Sequence, residues 1–321
     1  MIAALLLAIG TFLVTVPWGE HLIAWLRAKG IGKQIRVDGP QGHELKRGTP
    51  TMGGILFLVP VFLIGGALAV RTPRLLAPIG VTAIFAMLGA VDDWRGLRDV
   101  KGYGWLARYK VPWQVALGLL GAGALYLAGA PRAVNVPVLN VSLGLGLAYV
   151  PLAALVIVST INAVNVHDGL DGLAGGTVAL AFAAYGLIAL SPAGADAPLG
   201  LLCAVFIGGL LAFLWHNVHP AKVFMGDLGA LALGAGLASV ALMTEHWLLL
   251  PVIGAVYVAE VVADILQVGY FKLTHGRRIF RMAPLHCHFE QCGWPETRIV
   301  FRFWIAAAVL AMLGVALAVA R

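Results

Sequence analysis

Residues 173–190, LAGGTVALAFAAYGLIAL, and 198–215, PLGLLCAVFIGGLLAFLW, are two 18-residue runs with no charged side chain, separated only by SPAGADA (191–197). A helix that crosses a bilayer takes roughly 20 mostly apolar residues. Two such runs joined by so short a polar link therefore predict a helical hairpin in a membrane. The rest of the chain has the same character: 60% of its 321 residues are hydrophobic, 12% are charged, and mean hydropathy is +0.91. Soluble domains carry about 25% charged residues, so a water-soluble globule is excluded. Three cysteines, Cys203, Cys287 and Cys292, are too few and too scattered for a disulfide framework.

Further apolar runs extend the pattern in both directions. Ten are read as spans, near 1–25, 51–70, 75–91, 112–129, 144–161, 173–190, 198–215, 229–244, 247–271 and 299–320. The first has no basic residue before it and a basic cluster after it, so it is expected to remain as a span rather than be cleaved. With ten spans the connections alternate between two sides, and 18 of the 22 Lys and Arg fall on one of them. Basic residues mark cytoplasmic loops. The expectation is an all-α polytopic protein of about ten transmembrane helices, both termini outside, forming one membrane domain over 1–321.

Nearly all Asp, His and Asn lie on the basic side. Asp92-Asp93 in GAVDDWRG ends the third run; adjacent carboxylates there suit a Mg²⁺–diphosphate site or a general base. In STINAVNVHDGLDGLAGG, the residues Asn162, Asn165, Asp168 and Asp171 recur every three positions among glycines. Capping explains one of them; four in ten residues predict a polar ligand. WHNVHPAKVFMGDLGAL brings Asn217, Lys222, Phe224 and Asp227, with Asp227 equally readable as the N-cap of the next helix. HELKRGTPTMGG (43–54) offers Lys46, Arg47 and the glycine-flanked Thr51 to an anion. His286, Cys287, His288 and Cys292 crowd four zinc-type ligands into seven residues, a cramped arrangement that favours phosphate-contacting histidines over a metal site. Glu260 and Asp264 lie inside the ninth run, at i and i+4, and need a polar cavity, partner helices, protonation of one of them or a break in that helix nearby. A transporter would set its polar groups near the bilayer midplane instead.

GTPTMGG (48–54), VDD (91–93), NAVNVHDGLDGLAGG (162–176), HNVHPAKVFMGDLGAL (216–231) and RIFRMAPLHCHFEQCGWPET (278–297) together resemble the MraY family of the polyprenyl-phosphate N-acetylhexosamine-1-phosphate transferases. The resemblance implies a reaction at the bacterial cytoplasmic (inner) membrane. UDP-MurNAc-pentapeptide and undecaprenyl phosphate would give lipid I and UMP, with Mg²⁺ required and no nucleic acid involved. It assigns Asp227 as the Mg²⁺ ligand and Asp92, with Asp93 beside it, as the base toward the lipid phosphate. Lys46, Thr51, Asn162, Asn165, Asp168, Asp171, Asn217 and Phe224 would line the nucleotide-sugar pocket, Phe224 stacking on uracil. His286 and His288 match two members of a three-histidine motif near the diphosphate; Cys287 replaces the central one, and a thiol is a much weaker donor. The resemblance also implies a homodimer. A relative that transfers GlcNAc-1-phosphate and a catalytically inactive paralogue are the alternative readings.

Overall fold

The computed structural model describes residues 1–32, 48–98, 104–137, 139 and 141–320. All ten apolar runs are helical. In chain order the helices are α1 (Ile2–Ala28), α2 (Ile55–Arg71), α3 (Leu76–Arg98) and α4 (Ala107–Leu127). Next come α5 (Tyr149–His167), α6 (Leu173–Leu190), α7 (Ala197–Asn217) and α8 (Gly226–Leu242). The chain finishes with α9 (Leu250–Ile253), α10 (Ala255–Leu273), α11 (Leu285–Gln291) and α12 (Glu296–Val319). Six of these are long and apolar enough to cross a membrane, or seven if α9 and α10 count as one bent span; α2 and α8 are shorter apolar helices. This is the helical, polytopic membrane architecture expected.

At the centre stands α8, in which every residue from Leu228 to Leu242 is buried. Its glycines and alanines let neighbouring backbones come close, which is how helices pack where lipid gives no hydrophobic drive. A Cβ on Gly89 of α3 would collide with the Asp227 carbonyl, and one on Gly234 would press on Ile161 of α5. Both substitutions would force apart the helices that carry the polar residues. At the periphery, the most apolar windows of α1 and α12 are only 22% and 28% buried. Their bare leucines, isoleucines and valines suit contact with acyl chains.

Three local expectations are corrected. The helix α3 does not end at Asp92-Asp93 but runs on to Arg98, so both carboxylates sit within helical backbone. The run 247–271 is not one helix: it breaks at Gly254, where α9 and α10 meet at 75°. One small antiparallel hairpin, β1 (Ala133–Val136) with β2 (Val141–Gly144), lies between α4 and α5. Apolar residues at alternate positions, Val134 and Val136 in AVNV and Val141 and Leu143 in VSLG, favour it.

Candidate functional site

The carboxylates converge where the end of α3, the start of α4, the end of α5 and the start of α8 meet. Asp93 and Asp92 are adjacent in sequence but do different work. Asp93 accepts hydrogen bonds from the backbone N–H groups of Asp227 (3.0 Å) and Leu228 (2.9 Å). The first turn of α8 has no side-chain cap of its own. Asp93 therefore caps it from another helix and places negative charge at its positive end.

Asp92 is 6% exposed. Its Oδ1 accepts from the Trp105 N–H at 2.6 Å and its Oδ2 from the Lys110 ammonium at 2.6 Å. Lys110 also donates to Asp227 Oδ2, and Asn165 Nδ2 donates to Asp227 Oδ1 at 2.9 Å. One ammonium thus bridges two carboxylates. Of the three groups, Asp227 has the most exposed side chain, at 30%. Lys110 is the residue that sequence reasoning missed. It reads as one more basic residue before an apolar run, and only the fold shows it turned inward.

The backbone that carries Asp227 is clasped to the TPTMGG segment. Phe224 N–H donates to Pro50 (2.7 Å), and Gly53 and Gly54 donate to Phe224 (2.8 Å) and Met225 (3.0 Å). Gly226 has φ +73°, and a Cβ there would press on Asp93 and on the buried Thr51. Glycine is required on both counts. Thr51 and Phe224 are accordingly built into the support of Asp227. Lys46 lies outside the described residues.

The stripe Asn162, Asn165, Asp168 and Asp171 is split by the end of α5. Asn162 exchanges amide hydrogen bonds with the buried Gln114 of α4, at 2.9 and 3.3 Å, and so ties two helices together. Asn165 reaches Asp227, as above. Asp168 is the C-cap residue of α5, and Asp171 lies in the turn before α6. In that turn Gly172 has φ +80°, and its N–H donates to Asn217 Oδ1 at 2.9 Å. Asn217 Nδ2 donates in turn to the Val223 carbonyl at 2.8 Å. Asn217 therefore binds the α5–α6 turn to the α7–α8 loop.

Asp171 Oδ2 accepts from Ala221 N–H (3.1 Å) and meets His219 Nδ1 at 3.1 Å, while Glu296 Oε1 accepts from Asp171 N–H at 2.6 Å. Among the described residues, Asp171, His219 and Glu296 form the one group of three that could converge on a metal ion. The histidine–cysteine cluster does not converge on one point: His288 Nε2 meets Cys292 Sγ at 3.7 Å, while His286 turns elsewhere. His286 is 3% exposed and turns Nδ1 to Glu260 Oε1 at 3.1 Å, whereas His288 Nδ1 accepts from Arg281 N–H at 3.1 Å. Burial alone would lower the His286 pKa; the Cys287 sulfur and the Glu260 carboxylate outweigh it and raise it to about 10.

The Asp227 carboxylate, the most exposed of the three groups, is a hard oxygen donor and fits Mg²⁺ by its chemistry.

Residues 75–245 match glycosyl transferase family 4, and residues 46–58 match phospho-N-acetylmuramoyl-pentapeptide-transferase signature 1. The chain is similar to the phospho-N-acetylmuramoyl-pentapeptide-transferase of Chloroflexus aurantiacus, at 44% identity over 99% of this chain and 90% of that one. It is also 45% identical to the Moorella thermoacetica enzyme of that name, over 98% of both chains. The Clostridioides difficile enzyme is 40% identical, over 96% of this chain and 95% of its own.

Proposed function

The chain belongs to the phospho-N-acetylmuramoyl-pentapeptide-transferase family, and from that premise we propose how its residues divide the reaction. As a multi-pass membrane enzyme it transfers phospho-MurNAc-pentapeptide from UDP-MurNAc-pentapeptide to undecaprenyl phosphate, giving lipid I and UMP in peptidoglycan synthesis. The observation that carries this reading is near-full-length identity of 40–45% to enzymes of that name. The gathering of Asp92, Lys110, Asn165 and Asp227 at one point supports it. The basic loops support a cytoplasmic site in a bacterial inner membrane, with 1–321 acting as one domain, and the family resemblance supports a homodimer.

In the transfer, a phosphate oxygen of the lipid forms a bond to the β-phosphorus of the donor. The bond from that phosphorus to the UMP oxygen breaks, and UMP leaves with the electron pair. The second ionisation of a phosphate monoester has a pKa of about 6, so the attacking oxygen needs little help in losing a proton near neutral pH. Asp92, saturated by Trp105 N–H and Lys110, acts as a positioner: it holds the ammonium where the two phosphates meet. Lys110 offsets their repulsion. Asn165 orients Asp227, and Asp93 fixes the helix start from which Asp227 projects. Asp227 would hold Mg²⁺, which supplies charge neutralisation on the diphosphate when bound.

The test is incubation of purified protein with UDP-MurNAc-pentapeptide, undecaprenyl phosphate and Mg²⁺, with UMP and the lipid product read by mass spectrometry. UDP-GlcNAc runs in parallel, and Asp227→Ala is the blank. Muramoyl-lipid that forms in the wild type and is lost in the blank or in EDTA is the expected result. Product from UDP-GlcNAc alone would move the enzyme to the GlcNAc-phosphate branch, and none from either donor would favour an inactive paralogue.

A further inference from the structure

Glu260 of α10 is completely buried in an apolar helix. A carboxylate in that setting is costly unless it is paired and hydrogen-bonded. Its partners come from two other elements. Oε1 accepts from His286 Nδ1 of α11 at 3.1 Å and lies 3.6 Å from His167 Nδ1 at the end of α5. Oε2 lies 3.4 Å from the His286 backbone N–H.

The Thr177 hydroxyl lies 3.1 Å from His167 Nε2 and 2.9 Å from the Leu173 carbonyl. His167 Nδ1, fully buried, has no hydrogen-bond partner among the described residues, and the nearby acid is Glu260. Tyr257 and Phe303 wall in the His167 ring at 5.1 and 5.8 Å. On the far side of His286, the Nε2 edge packs directly on Gly169, leaving no room for a Cβ there. Gly169 lies between Asp168 and Asp171 in the α5–α6 turn.

Resting on the transferase reading above, we propose that Glu260 is a positioning residue for the reaction: held between His167 and His286, it seats the His286 ring under Gly169 and so sets the α5–α6 turn that carries Asp168 toward the donor nucleotide. Glu260 touches no reacting atom. It acts through His286, whose charge is held by the Glu260 carboxylate against burial. Asp264 of α10 and His167 of α5 are the other ionisable groups facing that ring, with Cys287 beside it. A merely apolar filling of the same space would leave the ring free to turn, and Gly169 would lose its support.

Two measurements on the full-length protein in detergent test this. In the first, histidines labelled with ¹³C at Cε1 are titrated by NMR, and the His286 signal is identified by its loss in His286→Gln. The wild-type signal is expected to stay protonated beyond pH 8, and in Glu260→Gln its midpoint is expected to fall by about two units. An unchanged midpoint overturns the proposal, whatever the enzyme's substrate. The second is steady-state UMP release. Glu260→Gln is expected to raise the KM for UDP-MurNAc-pentapeptide about ten- to hundredfold, with the KM for undecaprenyl phosphate little altered. Gly169→Ala, which displaces His286 while leaving Glu260 in place, should reproduce that split and remains informative if Glu260→Gln does not fold. Equal rises in both KM values, or a normal donor KM in Gly169→Ala, would sink the positioning role. Absence of UMP from the wild type would instead remove the transferase reading and leave the NMR result standing.

Discussion

Asp93 of α3 caps the helix that begins at Asp227, holding the Asp227 and Leu228 N–H groups at 3.0 and 2.9 Å. Two neighbouring acids, Asp92 and Asp93, are thereby separated into a charge-positioning group and a structural one, and their variants should fail differently.

Asp93→Ala leaves two helix-end donors without their acceptor. Loss of a cap costs about 1–2 kcal/mol, so thermal stability in detergent should fall, and turnover with it as Asp227 loses its foundation. Asp93→Asn keeps one acceptor and should recover part of the stability. A wild-type melting curve for Asp93→Ala would refute the capping role.

Lys110→Met removes the ammonium between Asp92 and Asp227 and leaves two carboxylates facing each other. UMP release should drop by about a hundredfold or more. Lys110→Arg should not restore it, because a planar guanidinium cannot replace a compact ammonium placed between two acids. Full activity in either variant would remove Lys110 from the site.

For Asn217→Ala the expectation is loss of stability together with weaker donor binding. The Gly172 N–H and the Val223 carbonyl both lose their partner, at about 1–3 kcal/mol for a buried unmade bond. Calorimetric titration with UDP-MurNAc-pentapeptide, without the lipid, reads the binding directly; unchanged affinity and unchanged melting would contradict the clamp.

The pair between His286 and Glu260 sets a pH dependence with a definite sign. The pKa of His286 is raised to about 10 in the fold. Its contribution to stability is therefore complete below the ordinary imidazole value, about 6.5, and is lost as pH rises through the folded value. Melting temperature should decline between those limits in the wild type and decline less in Glu260→Gln. Parallel curves would show that the pair contributes nothing.

The membrane architecture was legible in the sequence because apolar runs such as 173–190 and 198–215 leave no soluble alternative. The acids were legible too, since Asp92, Asp168 and Asp227 interrupt or bound such runs. What escaped was direction. Lys110 carries the same charge as every other basic residue near it, and nothing local says that it turns toward Asp92. The regular spacing of Asn162 to Asp171 suggested one polar ligand, yet α5 stops at His167 and the four residues go to different tasks. The kink at Gly254 was foreshadowed only by Glu260 and Asp264, as a possible break in that run; LLLPVIGAVYV is apolar straight through the bend, and Pro251 and Gly254 in it did not fix its place. Glu260 announced a buried partner, but its histidines come from distant segments that only folding brings together.

The central helix also has a bearing on where the two substrates meet. With 17 residues, α8 is about 26 Å long at 1.5 Å per residue, against ~30 Å for the hydrocarbon layer. Enclosed by protein along its length, it can end short of the water. A length so close to the thickness of that layer sets the carboxylates of its first turn near one boundary of the hydrocarbon, next to the level at which a lipid carries its phosphate. The journey falls to the soluble nucleotide, which must come down to the membrane.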